Sequence, residues 1–200
     1  ADDDTSGDES SAFTYKMRKK YLYPNVLSGA FSSKYTSLVG ADDTQTKFSS
    51  KLQASDLIYV SVNGHGNNTQ VFGNGTEVLL DSSTGLPSSV SGKIFHLFAC
   101  LTGNNLGPAL VTAGAKAFIG YKVLYTVIVT PWSNPSAFPD TIIDNSLIKG
   151  KTMRQAQRDS YRVFGAVIAY YTFPIPMPTW VGTFISMRAN LVGPDTDPKY

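Results

Sequence analysis

Cys100 is the only cysteine in the 200-residue chain, and only two histidines, His65 and His96, accompany it. A thiol beside an imidazole makes a nucleophile with its proton carrier. The thiolate attacks a carbonyl, while the imidazole lowers the thiol pKa and returns a proton to the leaving amine. His65 lies in Asn63-Gly64-His65-Gly66-Asn67, directly after the apolar run Leu57 to Val62. Cys100 lies in Phe98-Ala99-Cys100-Leu101-Thr102-Gly103, where the apolar run Ile94 to Ala99 ends. If the two runs are neighbouring strands of a parallel sheet, about 4.8 Å apart, both side chains emerge at one edge. Gly64 and Gly66 permit unusual backbone angles and a close approach of substrate, and the backbone N–H groups of Gly66 and Cys100 suit an oxyanion. Taken singly, such a cysteine packs as a small hydrophobe and such a histidine is a loop residue; the shared edge lifts the pair above that reading. His96 is no rival as base. Four residues before Cys100 on the same strand means roughly 13 Å at 3.3 Å per residue, which predicts a packed core histidine.

The elements that must hold this pair alternate along the chain. Leu57 to Val62 (LIYVSV), Ile94 to Ala99 (IFHLFA) and Ala115 to Gly120 (AKAFIG) have the character of buried strands, apolar runs set off by turn-forming residues. Between the second and third, Leu106, Ala109, Leu110 and Ala113 recur at helical spacing, with Asn104 or Asn105 as cap, Pro108 in the first turn and Gly114 as stop. That is a βαβ unit, with parallel pairing and a right-handed crossover. Thr69 to Phe72 and Thr76 to Leu80 flank Gly73-Asn74-Gly75 as a hairpin. Farther on, Val123 to Val129 is an extended run and Pro131 to Pro135 a loop. A helix capped by Ser136 carries apolar Phe138, Ile142, Ile143 and Leu147 and ends before Gly150. A second opens on the capping box Thr152-Met153-Arg154-Gln155 and puts Met153, Ala156, Ser160, Phe164, Val167 and Tyr171 on one face. Gly182 to Val192 reads as a last strand. The predicted fold class is α/β, with a mostly parallel central sheet flanked by helices.

Composition narrows the function classes. With 42% hydrophobic and 16% charged residues and a mean hydropathy of −0.09, the chain has the makings of one domain with a real core. Residues 1–12 read as an acidic flexible segment ahead of a domain over 13–200. The longest apolar stretch, Val163 to Phe173, stops at Pro174, Pro176 and Pro178, short of the roughly 20 residues a spanning helix needs. No membrane span is expected. A single cysteine excludes an internal disulfide and a cysteine-based zinc site, and two histidines leave little for another metal. No cofactor is predicted, with oxygen-ligated calcium left open. The first nine residues hold five of the fifteen acids and none of the seventeen bases, so the body is mildly basic. Only Lys16 to Lys20 (KMRKK) forms a basic run, and no nucleic-acid-binding motif accompanies it, so nucleic acid is not an expected partner. No signal peptide opens the sequence. A flavodoxin-like module is a weaker fit, since no GxGxxG follows a strand.

The blocks LIYVSVNGHGNN and IFHLFACLTGNN resemble the hallmark of the caspase-like (clan CD) cysteine peptidases, one hydrophobic strand ending in His-Gly and another in Ala-Cys. The Gly-His-Gly context is similar to the gingipain-like branch, and ACLTGNNLGPALVTAGAKAFIGY to the CHAT relatives. GKTMRQAQRD is similar to the helix start after the substrate loop in both, and RANLVGPDTDP to the closing strand of the gingipain catalytic domain. The resemblance covers about Asp56 to Pro198. It implies a caspase-like three-layer sandwich and a cysteine endopeptidase that cleaves a peptide or protein substrate through a thioester. His65 would be general acid or base, Cys100 the nucleophile, and Gly66 with Cys100 the backbone oxyanion site. Trp132 and Ser133, on the loop bordering the primary specificity pocket, would contact substrate. Ser133 stands where caspases place an Arg beside that Trp, and Asn63, Gly64, Phe98 and Ala99 are uncharged, so neither basic nor acidic specificity is implied. Asp42, Asp43 or a backbone carbonyl would orient His65. The gingipain-like branch implies secretion or a cell-surface location. A non-catalytic caspase-like binding or scaffold domain is the alternative.

Overall fold

The three apolar runs become the three parallel strands of a sheet, and the spacing of their side chains decides what each face buries. The computed structural model describes residues 9–27, 35–128, 135–173 and 177–194. Helices α1 (Glu9–Tyr21), α2 (Tyr23–Leu27) and α3 (Gln45–Leu52) come first, the last capped by Thr44, whose hydroxyl accepts the Lys47 N–H. Strand β1 (Tyr59–Asn63) opens the sheet, and the hairpin β2 (Gln70–Phe72) and β3 (Val78–Asp81) forms a separate two-stranded sheet. Then come β4 (Ile94–Phe98), α4 (Leu106–Thr112) and β5 (Ala117–Tyr121). Helices α5 (Ala137–Ile148), α6 (Met153–Thr172) and α7 (Pro178–Ala189) and the short β6 (Leu191–Val192) complete the described chain.

The main sheet has the order β1-β4-β5-β6, with the first three strands parallel and β6 antiparallel to β5. The architecture is thus α/β with a mostly parallel four-stranded sheet. Val60, Val62, Phe95, Leu97 and Phe118 face one side and pack with Leu106 and Leu110 of α4, Phe48 and Leu52 of α3, and the hairpin. Phe98, Ile119 and Tyr121 face the other, against Ile143 of α5, Phe164 of α6, and Phe184 and Met187 of α7. Each such fully buried side chain contributes about 1.5–3 kcal/mol. Helices on both faces explain why the strands read as continuous apolar runs. The βαβ crossover is tight: a Cβ on Gly107 would strike the Phe118 ring, so only glycine lets α4 lie this close. Gly114, at φ +95, then ends that helix as expected.

Several expectations are corrected or refined. Gly182 to Val192 is mostly α7, and only Leu191 and Val192 form a strand. Pro178 sits in the first turn, and Phe184 and Met187, three apart, bury one helical face that outweighs the strand-like Val, Thr and Ile content. Residues 123–128 join no sheet. Asn105 occupies the N-cap of α4 without a side-chain bond, and Asn104 instead ties Asn68 Oδ1 and the Lys122 carbonyl. Ser136 precedes α5 without capping it, because its hydroxyl accepts the Ile128 N–H. The capping box at Thr152 and Gln155 is present, and Met153, Ala156, Ser160, Phe164 and Tyr171 line the inner face of α6, joined by Gln157. Helix α1 starts at Glu9, inside the segment read as flexible, and the basic run falls on it with Arg18 turned inward at 3% exposure. Among the described residues no helix is long and apolar enough to cross a membrane.

Candidate functional site

Parallel pairing of β1 with β4, Tyr59 opposite Ile94 through Asn63 opposite Phe98, brings the two strands to an end at the same level. The segments leaving them carry His65 and Cys100, and both line one pocket of ≈ 140 Å³ at that edge. His65 is exposed and Cys100 half-buried. The turn that presents the thiol is strained: Leu101 has φ 61, a left-handed conformation costing a non-glycine residue roughly 1–2 kcal/mol. Surrounding bonds impose it, with Leu101 N–H to the Val123 carbonyl (3.1 Å), Gly103 N–H to the Tyr121 carbonyl (2.9 Å) and Asn104 N–H to the Leu101 carbonyl (3.0 Å).

Gly66 comes against the cysteine turn. A Cβ there would lie 2.7 Å from the Cys100 carbonyl and 2.8 Å from Thr102 Cγ2, which bars any larger residue. Its bridge to Val71 is made by the neighbours, Asn67 N–H to the Gln70 carbonyl and Phe72 N–H to the His65 carbonyl. Gly66's own N–H therefore stays outside that pairing. Sγ of Cys100 accepts the Tyr125 N–H at 3.2 Å. Burial pushes the thiol pKa up, and the N–H groups of Tyr125 and of Cys100 itself offset this only in part. A thiol so placed needs a base to become a nucleophile.

Among the described residues the pocket lining holds no Asp, Glu, Lys or Arg. Phe98, Tyr125 and Val127 supply apolar surface, and Thr14 reaches in from α1. The Tyr125 ring stands edge-on to Phe98 at 4.5 Å and to Tyr121 at 4.7 Å. Asn63, 2% exposed, lines the same pocket, and its Nδ2 has no hydrogen-bond partner among the described residues. Of the two acids weighed as orienting groups for His65, Asp42 is a surface partner of Lys47, and Asp43 is buried beside Gly73. Trp132 and Ser133 lie outside the described residues.

Below the pocket sits a second polar assembly that the sequence reading did not foresee. His96 is fully buried, as predicted, but it is not packed among hydrocarbon: Nδ1 meets Asp144 Oδ1 at 2.9 Å and Nε2 meets Asp140 Oδ1 at 3.0 Å. Arg18 donates to Asp144 at 2.7 Å and to Ser61 Oγ at 2.9 Å, Tyr59 donates to Asp144, and the Tyr121 hydroxyl donates to Asp140 at 3.3 Å. Burial disfavours the imidazolium, yet Asp140 and Asp144 outweigh it and raise the His96 pKa from 6.5 to about 10. For Asp144, burial is overcome by Arg18, His96 and the Tyr59 hydroxyl, and its carboxyl stays well below the usual range. For Asp140, burial prevails over His96 and its pKa rises. Two cations thus face two carboxylates in a closed quartet. The same His96, Asp140 and Asp144 atoms fall within 4.8 Å of one another, as metal ligands would. Both imidazole nitrogens are engaged by the carboxylates, while Asp140 Oδ2 is buried without a hydrogen-bond partner among the described residues. Asp140 and Asp144 stand four apart on one helical face, a spacing that was the available signal.

No protein-family model and no curated protein sequence matches the chain.

Proposed function

We propose that this chain is a caspase-like cysteine endopeptidase domain, with Cys100 as nucleophile and His65 as general acid and base. The observation that carries the reading is the convergence of the single thiol and the exposed imidazole on one pocket at the carboxyl ends of adjacent parallel strands. The mostly parallel sheet covered by helices on both faces is what a three-layer caspase-like sandwich requires. Each group then has a task. His65 takes the Cys100 proton as Sγ attacks the scissile carbonyl, and the N–H groups of Gly66 and Cys100 hold the oxyanion. The carbon–nitrogen bond breaks, His65 protonates the departing amine, and a thioester remains. Water, deprotonated by His65, attacks the thioester; the acid product leaves and Cys100 regains its proton.

With burial holding the thiol pKa up, His65 serves as the base during attack. The test is labelling with a peptidyl acyloxymethyl ketone alongside hydrolysis of a peptide library by wild type and Cys100→Ala. One equivalent of label on Cys100, with hydrolysis abolished in the variant, is expected. Turnover unchanged in Cys100→Ala removes Cys100 from the mechanism, and a thiol inert to every peptidyl warhead favours a non-catalytic scaffold.

A further inference from the structure

The parallel register fixes where Asn63 points. It is the Cα partner of Phe98, so both side chains leave the sheet on the same face, and both line the pocket that His65 and Cys100 border. A buried N–H₂ without an acceptor is uncommon in a folded protein and destabilises it. Asn63, 2% exposed, carries such a group, and the residue lines a cavity with room for part of a ligand.

We infer that this pocket receives the side chain of the residue on the acyl side of the scissile bond, and that Asn63 selects an uncharged carboxamide, asparagine or glutamine, there. The inference rests on the peptidase reading and deepens it. A carboxamide carbonyl accepts the Asn63 N–H, and the aliphatic part of the side chain lies against Phe98, Tyr125 and Val127. The same lining argues against charge. Among the described residues it holds no Lys or Arg to neutralise an aspartate and no Asp or Glu to receive a lysine or arginine, and an unpaired ion is costly to take out of water. A purely aliphatic side chain leaves the Asn63 donor unsatisfied, the situation in which polar sites discriminate most strongly.

A fluorogenic peptide library varied at the acyl-side residue, run on wild type, Asn63→Leu and Asn63→Asp with active sites titrated by the acyloxymethyl ketone, tests this. Wild type is expected to prefer Asn or Gln over Asp, Lys and Arg by at least about tenfold. In Asn63→Leu the ratio of amide to leucine cleavage falls by about 10- to 100-fold. In Asn63→Asp, with a carboxylate in place of the donor, preference moves toward Lys and Arg. Should the buried aspartate prevent folding, judged by circular dichroism, the leucine variant decides alone. Wild-type cleavage directed to charged residues, or an amide-to-leucine ratio untouched by Asn63→Leu, overturns the role of Asn63 and leaves the peptidase standing. No cleavage of any library member and no labelling of Cys100 overturns both.

Discussion

The two histidines of this chain show how environment divides one side chain between opposite tasks. His65 stands exposed on a glycine-flanked loop at the carboxyl edge of the sheet, lining the same pocket as the Cys100 thiol. His96 is sealed one strand away, with a carboxylate on each nitrogen, and around Asp144 Arg18 adds a cation and Tyr59 a hydrogen bond. An imidazole that must exchange protons needs water, substrate and few fixed partners. One that must hold two helices to a sheet needs the reverse, and His96 joins β4 to α5 while Arg18 joins α1 to the same carboxylate. The surroundings fit His96 for architecture, and the proposed chemistry falls to His65, the ring left exposed.

The sharpest way to break this contrast is to remove each ring in turn. His65→Ala is expected to lower kcat/KM by about 10²- to 10⁴-fold, the usual contribution of a general acid and base. Because His65 is exposed, its unfolding free energy should change by less than about 1 kcal/mol. His96→Leu should do the opposite kind of damage. It leaves Asp140 and Asp144 buried with one cation between them, and the loss of one member of a buried ion pair costs about 3–5 kcal/mol. Urea unfolding and peptide turnover on both variants decide the matter. A large stability loss in His65→Ala or a neutral His96→Leu would erase the distinction.

A smaller effect, spread over pH, sharpens the same comparison. The folded pKa of His96 is raised from 6.5 to about 10, so its stabilisation is complete below pH 6.5 and is lost as pH climbs toward 10. The limiting slope is about 1.4 kcal/mol per pH unit. Asp144 has a lowered pKa and acts in the other direction: its contribution is present above the ordinary 3.8 and lost as pH falls below it. Asp140, whose pKa burial raises, gains from acid and flattens that side. The titratable groups facing His96 from neighbouring elements are Asp140 and Asp144 on α5, Arg18 on α1, Tyr59 on β1 and Tyr121 on β5. Stability should decline between pH 6.5 and 10 in wild type and in His65→Ala, and that decline should disappear in His96→Leu. A slope that follows His65 instead would contradict the assignment.

What could be read from the residues follows the range of the interactions. The three parallel strands, the βαβ crossover and the capped α6 announce themselves through local apolar runs, glycine stops and a capping box. The edge shared by His65 and Cys100 follows from the strands alone. The quartet does not, because Arg18 and Asp144 are 126 residues apart in sequence and His96 and Asp140 are 44 apart. Arg18 is also hidden inside KMRKK, which has the composition of a solvated run. Helix α7 was misread because Val181, Thr183 and Ile185 favour a strand locally, and the packing of Phe184 and Met187 decides otherwise. Asn63 was seen only as an uncharged neighbour of His65. That its amide is buried and unpaired is a property of the pocket.

The smallest expected effect concerns the backbone beneath Cys100. Leu101 holds φ 61, and glycine accepts that conformation without strain, so Leu101→Gly removes a native cost of roughly 1–2 kcal/mol. It also loosens the unfolded chain and sacrifices the half-buried leucine side chain, each of which opposes the gain. Net stability should move by no more than about 1 kcal/mol. The turn, however, gains alternatives to the angle that presents the thiol, and a misplacement near 1 Å at a reacting atom can cost up to about 10²-fold. Urea unfolding and kcat/KM measured together separate the two: near-constant stability with turnover reduced about tenfold means the strained turn aims Cys100. Unchanged turnover with raised stability means that the strain serves packing alone, and that the bonds to Val123 and Tyr121 suffice to hold the thiol beside His65.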